Sequence, residues 1–284
     1  MIKILVPATS ANIGPGFDCF GIAYSYFNEY KVEKSDKMVM EGCDPSFINK
    51  DNLFNIAFNA TMKILKKKGS FHVIQNPVVP PSRGLGSSAN VIVAGCKTAN
   101  VLYGGKNKLS DNELFQIASK IEGHPDNVAP AIFGSLTAST KLQDGTFYHK
   151  KYKVSPKLHF TLLIPNFKTS TEEARKLLPK SYKKEETVTM ISHSVLMVEA
   201  LQSGDFELLK TVCKDYVHEP YRKALIKDYD NIKKTVEKNK NAVLLISGSG
   251  PTLLAISNDK NFSKKLKLKS TKADWVIKEL KVLK

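Results

Sequence analysis

The sequence predicts an α+β protein of two domains. Three observations carry the prediction. Strand-like runs alternate with helix-like runs along the whole chain. The chain turns polar and Lys-rich around residues 150–157, and a new apolar run then begins at Leu158. Its 284 residues are enough for one or two hydrophobic cores. We place the domains at 1–153 and 154–284. The 42% hydrophobic and 25% charged fractions exclude a disordered, collagenous or disulfide-scaffold chain.

The elements follow in order. Met1–Val6 and Ala23–Val32 read as strands around a long, Gly-rich loop. Leu53–Lys67 has helical spacing, and Phe71–Val79 is extended up to Pro80-Pro81. Ser87–Leu102 reads as a buried helix of small and β-branched residues. Ser110 and Glu113 have the spacing of a capping box, which opens a helix with Leu114, Ile117, Ala118 and Ile121 on one face. Gly123 and Pro125 end it. Ser170–Leu178 reads as a short helix, and Ser192–Leu201 and Phe206–Val217 as amphipathic helices. Ala242–Ser257 reads as two strands around a Gly turn, and Trp275–Leu283 as a last strand or helix.

The formal charge is +16, with nets of −2 over residues 1–60, +6 over 61–150 and +12 over 151–284. Such a balance fits a nucleic-acid partner, an anionic substrate or a solvated Lys surface. Forty of the basic residues are Lys and only three are Arg: Arg83, Arg175 and Arg222. A planar fork grips carboxylate or phosphate where an ammonium cannot, so each Arg is a candidate for a specific anion contact. No aromatic pattern interleaves the Lys run at 260–284, so no nucleic-acid partner is expected. Four scattered cysteines, no apolar leader and no membrane-length run lead us to expect a cytoplasmic protein without a membrane partner. The six His show no metal-ligand spacing.

Three segments carry chemistry. Pro80-Pro81-Ser82-Arg83-Gly84-Leu85-Gly86-Ser87-Ser88-Ala89 runs straight into a helix. Its glycines permit backbone turns that aim N–H groups inward, and the helix start adds a positive end. This reads as a phosphate cradle; a plain Gly-rich helix cap is the alternative. It also satisfies G-x-G-x-x-A, but no apolar strand runs into the first Gly, which weakens a dinucleotide reading. Ser247-Gly248-Ser249-Gly250-Pro251-Thr252 turns between two apolar runs, and Pro7–Asp18 forms the first loop. Glu122 ends a helix, where the dipole disfavours an acid, so it is either a solvated side chain or a Mg²⁺ ligand. Thr171 and Arg175 share a helix face at i, i+4, and Arg222 follows His218-Glu219-Pro220-Tyr221.

Together these segments resemble the GHMP kinase superfamily, and in particular its homoserine kinase branch. Val6–Asp18, Gly84–Ala89 and Ser247–Thr252 are similar to its three motifs. Glu122-Gly123-His124-Pro125-Asp126-Asn127 and His218–Arg222 also match that branch. The resemblance covers nearly the whole chain. It implies ATP-dependent phosphorylation of the L-homoserine side-chain hydroxyl, a step of threonine biosynthesis. It implies a first domain like the second domain of ribosomal protein S5 and a ferredoxin-like second domain. A homodimer is an assembly it allows.

The resemblance also implies residue roles. Pro81, Ser82, Arg83, Gly84, Leu85, Gly86, Ser87 and Ser88 would cradle ATP, with Asn52 at the adenine. Ser88 and Glu122 would hold Mg²⁺. Asn12, Asp18, Asn127, Thr171, Arg175 and Arg222 would bind homoserine, Asp18 at its ammonium and the two Arg at its carboxylate. Asn12, Asp126 and Asn127 lie nearest the chemistry. Other branches use an Asp as base; here the expectation is transfer without one. Asn90 stands where the second motif usually has Ala, and Lys227-Asp228-Tyr229 where a Pro is usual; both read as drift. A mevalonate-type kinase and a basic nucleic-acid-binding protein are the competing readings.

Overall fold

The computed structural model describes all 284 residues. Strand β1 (Ile2–Ala11) pairs antiparallel with the long β2 (Phe20–Ser35). β1 runs five residues beyond the sequence expectation, through Pro7–Ala11. A register shift between Pro7 and Thr9 absorbs the proline, and Thr9–Ala11 then pair with Gly21–Ala23. Half of the first loop is therefore strand, which holds its polar side chains rigidly.

β3 (Val39–Glu41) lies parallel to β4 (Ser70–Asn76), with α1 (Leu53–Leu65) between them in sequence. α2 (Ser87–Tyr103), α3 (Asp111–Glu122) and α4 (Val128–Phe133) follow, then the hairpin β5 (Leu136–Lys141) and β6 (Phe147–Tyr152). β4 and β5 share one edge of β2, and β1 takes the other. Ser110 and Glu113 do form the capping box of α3, and Gly123 ends it in the left-handed region. Helices and sheet enclose a core of 25 residues, among them Val6, Val32, Phe54, Phe58, Phe71, Ile92 and Phe115.

The second sheet holds β7 (His159–Pro165), β8 (Ala242–Ile246), β9 (Leu253–Ser257) and β10 (Trp275–Leu280). Its order is β10-β7-β9-β8, all antiparallel. This is the ferredoxin-like order that was expected. Helices α5 (Thr171–Lys176), α6 (Lys184–Ser203), α7 (Phe206–Val212), α8 (Glu219–Arg222) and α9 (Tyr229–Glu237) precede β8, and the one-turn α10 (Phe262–Lys265) precedes β10. α6 starts eight residues before the expected Ser192. α7 stops at Val212, not 217, because the Asp215 carboxylate accepts from the N–H groups of Val217, His218 and Glu219 and starts a new turn.

The two sheets are not independent. A core of 24 residues joins Ala8, Ile13, Ile22 and Tyr24 of the first half to Leu162, Leu201, Leu209 and Leu254 of the second. Residues 281–284 also return to the first sheet. Ser25 N–H donates to Lys281 O at 2.8 Å, Leu283 N–H to Ala23 O at 2.8 Å, and Ser135 N–H to Leu283 O at 2.6 Å. A single cut at residue 153 therefore does not describe the packing. No helix is long and apolar enough to cross a membrane. All four cysteines are free.

Candidate active site

The three Gly-rich segments meet at one place. Ser247 Oγ donates to Ser10 Oγ at 2.6 Å and lies 2.7 Å from Gly84 O. Gly248 N–H donates to Ala11 O, Thr252 N–H to Arg83 O, and Thr9 N–H to Leu85 O. Two glycines make this closeness possible. A Cβ at Gly84 would strike the Ser247 and Gly250 carbonyls, and one at Gly86 would strike Thr9 Oγ1 and Asn127 Oδ1. Both have positive φ, +72° and +66°.

Around this junction lies a cavity of about 100 Å³ with no hydrophobic lining residue. Its walls include Asn12, Asp18, Ser82, Gly84, Gly86, Ser87, Ser88, Glu122, Asp126, Asn127, Thr171, Arg175 and Arg222. Residues from both halves, between 12 and 222, thus converge on one polar pocket. A larger cavity of about 700 Å³ lies elsewhere, lined by Glu219, Pro220, Tyr229 and five lysines among others, and holds none of the expected site residues.

At one end Gly86 caps α2 without a side-chain hydrogen bond, so the first-turn N–H groups are left for a ligand. Ser88 Oγ donates to Glu122 Oε2 at 2.6 Å. Burial pushes the Glu122 carboxyl above its usual range, against the Ser88 hydrogen bond and the His124 charge. A half-buried carboxylate beside a hydroxyl, facing a free helix start, is an oxygen donor set that suits Mg²⁺ shared with phosphates.

At the other end stand the two arginines. Arg222 is 1% exposed, and its bonds go to backbone carbonyls: Nε to Ala174 O at 3.4 Å and Nη1 to Gly248 O at 3.1 Å. Burial, with the Arg175 charge, lowers its pKa. A buried guanidinium held by carbonyls alone is poised for an anion. Arg175 forms a bidentate pair with Asp18, Nη1–Oδ2 3.0 Å and Nη2–Oδ1 2.8 Å. Thr171 Oγ1 lies 3.1 Å from Ser249 Oγ.

Between the ends, Thr9 Oγ1 donates to Asn127 Oδ1 at 2.7 Å, which leaves the Asn127 NH₂ to donate elsewhere. Asp126 is 2% exposed and accepts from Asn127 N–H. His124 Nδ1 lies 3.4 Å from Asp126 Oδ1, within ion-pair reach, and Asp126 holds the imidazole above its ordinary pKa.

Several expected residues sit differently. Asn12 lines the cavity, but its amide donates to Gly248 O and accepts from Asp18 N–H, so it pins the first segment to the third. Asp18 is occupied by Arg175 rather than open to an ammonium. The Arg83 guanidinium points away from the cavity and donates to Pro165 O, Pro81 O and Asn166 O. Leu85 is fully buried in the core. Pro81 does not line the cavity. Asn52 lies outside it and caps α1, accepting from Phe54 N–H.

Asn90 is not drift. It is fully buried, donates to Val6 O and Pro7 O, and accepts from Asn28 Nδ2 and Tyr30 Oη. It ties the first turn of α2 to the strand that carries the first segment. Asp228, the other departure, accepts from Lys272 and Ala273 N–H and caps the loop before β10. The sequence reading also passed over Thr9, His124, Thr169, Gly248 and Ser249, which line or brace the cavity. Thr9 and Gly248 were legible as members of the Gly-rich segments.

An uncapped helix start, a carboxylate–hydroxyl pair and three interlocked Gly-rich segments are the features of a small-molecule kinase. Residues 52–135 match the family model of the GHMP kinase N-terminal domain, and residues 197–269 that of the GHMP kinase C-terminal domain. The chain is 43% identical over 288 residues to a homoserine kinase of Clostridium botulinum (strain Okra), covering 99% of this chain and 96% of that one. It is 42% identical to one of Clostridium beijerinckii, with 94% and 90% covered. The crystal structure of homoserine kinase from Cytophaga hutchinsonii superposes with a TM-score of 0.90 at 28% identity, covering 99% and 95%. A mevalonate kinase from L. major shares the fold at 17% identity and TM-score 0.71. The chain belongs to the homoserine kinase family of the GHMP kinases.

Proposed function

We propose that this protein transfers the γ-phosphoryl group of ATP to the side-chain hydroxyl of L-homoserine. The observation that carries the reading is the all-polar cavity itself. The uncapped start of α2 lies beside Ser88 and Glu122 in its lining, and the buried Arg222 lies there with Arg175 and Asp18, which supports an anionic phosphate donor and a zwitterionic acceptor. Such a pocket suits a small, doubly charged amino acid and excludes an apolar substrate.

Phosphoryl transfer depends on alignment and charge neutralisation more than on covalent chemistry. The Ser82–Ser88 backbone and the start of α2 meet the phosphate charge without reorganising. Ser88 and Glu122 are the residues that would hold Mg²⁺, which neutralises phosphate charge when bound. Arg222 and Arg175 take the amino-acid carboxylate and Asp18 its ammonium. Asn127, held by Thr9, orients the hydroxyl with its NH₂ group. A loose transition state needs little proton removal before the phosphoryl group arrives, so no dedicated base is required.

A coupled assay of ADP release against L-homoserine, L-serine, mevalonate and galactose tests this. Turnover of L-homoserine alone is expected; none with L-homoserine would overturn it. Asp126→Asn tests the absence of a base. Activity should stay within about 10²-fold of the parent, whereas a loss of about 10³-fold or more in kcat with the fold intact would restore general-base catalysis. Filter binding at about 150 mM salt should show only weak nucleic-acid affinity.

A further inference from the structure

The cavity of about 700 Å³ has no part in the chemistry above. One wall is the outer edge of β8, the last strand of the second sheet. Ser247 N–H bonds to Thr252 O across the hairpin, whereas Ile246 N–H turns away from the sheet to Glu219 Oε1. The alternation of an antiparallel pair then turns the N–H and C=O of Leu244 outward as well. No strand covers that edge, and Leu244 lies in the cavity wall. Ala242 and Tyr229 add apolar surface. A pocket of this size, partly apolar and with a few convergent polar groups, has the dimensions of a small-molecule site.

Charge gives the class of ligand. Five lysines line the cavity: Lys210, Lys214, Lys223, Lys233 and Lys240. Lys210 pairs with Glu207 at 3.0 Å, but Lys223 and Lys233 have only long pairs, 3.9 Å to Asp230 and 3.7 Å to Glu237. Lys214 and Lys240 have no carboxylate partner. The Asp215 carboxylate is taken up by three backbone N–H groups. Glu219 is 6% exposed, gives one oxygen to Ile246 N–H and makes no other side-chain bond. Burial, opposed by that bond, pushes its pKa up to about 8, so it stands in the wall as a neutral acid with an O–H to donate. The cavity thus offers donors and a positive surplus.

We propose that this cavity is a second ligand site, which takes a small molecule bearing two or more negative groups, phosphate or carboxylate. The Lys214 and Lys240 ammoniums, Leu244 N–H and Glu219 are the donors that hold it. The site is joined to the first cavity through α8. Glu219 pins Ile246, and Gly248, two residues on, holds Arg222 and Asn12 by its carbonyl. Arg222 itself follows Glu219 by three residues in α8. A ligand that bonds Glu219 therefore acts on both ends of the Gly248–Arg222 contact. The binding site stands apart from the amino-acid reading given above; its link to L-homoserine rests on that reading.

The test is titration calorimetry with inorganic pyrophosphate and with tricarballylate, each in saturating ADP, which keeps the probe off the start of α2. At least one should bind the parent protein, and the tighter of the two identifies the anion as phosphate or carboxylate. The double variant Lys214→Ser/Lys240→Ser should bind that probe about 10-fold or more weaker, with ADP affinity unchanged. Lys106→Ser/Lys108→Ser removes the same charge elsewhere and should bind the probe as the parent does. No binding of either probe, or an equal loss in both double variants, would overturn the site. The bound probe should also shift the L-homoserine affinity of the parent protein by about 3-fold or more, and not that of Lys214→Ser/Lys240→Ser. No shift would overturn the link through α8. If L-homoserine does not bind at all, the functional reading falls, while probe binding still decides the second site.

Discussion

Arg222 shows how one side chain is set up for an anion. A guanidinium at 1% exposure, bonded only to carbonyls, has lost its water without gaining a counter-charge. Arg222→Lys keeps the +16 charge but cannot reach Ala174 O, Gly248 O and a ligand together. The KM for L-homoserine should rise at least about 10-fold with the KM for ATP nearly unchanged, in steady-state kinetics with each substrate varied. Asn90 is the structural counterpart. Asn90→Ala leaves the Val6 and Pro7 carbonyls, the Asn28 amide and the Tyr30 hydroxyl without a partner. Urea unfolding should show a loss of about 2–4 kcal/mol. Alanine in that place elsewhere in the family made Asn90 look incidental. Its partners lie 60 or more residues away in sequence, so only the packed structure reveals them.

At the scale of the element, α8 and its N-cap place two buried titratable groups near Arg222. Glu219 accepts from Ile246 N–H at 2.6 Å, and burial, opposed by that bond, pushes its pKa up to about 8. His218 is fully buried, stacks on Phe17 at 5.5 Å, and burial lowers its pKa. The signs oppose. Glu219 keeps its proton in the native state to about pH 8 but loses it near 4.5 when unfolded. Its contribution is complete below about pH 4.5 and is lost as pH rises toward 8. The His218 contribution is lost as pH falls below the ordinary imidazole value of 6.5. Glu219→Gln keeps the acceptor for Ile246 and abolishes the first slope. Thermal melts across pH 5–8 should therefore show the variant gaining on the parent with pH, by up to about 1.4 kcal/mol per unit. Helix ends set by capping side chains were readable, as at Ser110 and Gly123. The stop of α7 was not, because the Asp215 carboxylate that ends the run lies three residues beyond it.

At the scale of the molecule, the halves are joined twice, by the shared core and by residues 281–284. Deleting those four residues removes three backbone hydrogen bonds to Ala23, Ser25 and Ser135. Chemical denaturation should show a loss of about 2–4 kcal/mol in one cooperative transition rather than two, because the core of Ala8, Ile13, Leu162 and Leu254 still couples the sheets. The +16 charge is a property of the solvated Lys surface. The cavity is lined by Arg175 and Arg222 and by no Lys, while Arg83 braces the loop against Pro165 and Asn166.

The sequence by itself determined the mixed fold and the capping of α3, which follow from local patterning. The family, and with it the ferredoxin-like second sheet, came from a resemblance carried by motifs whose residue types are chemically constrained. It also named most of the cavity wall, from Asn12 to Arg222. The tertiary structure decided what each side chain faces. Asn12 and Arg83 are bound to backbone carbonyls, Asp18 is closed on Arg175, and Asn90 lies at the centre of a buried hydrogen-bond network. A sequence states which donors and acceptors exist. Only the fold brings residue 18 to 175 and residue 12 to 248, and in a buried site the nearest partner decides which groups remain for the ligand.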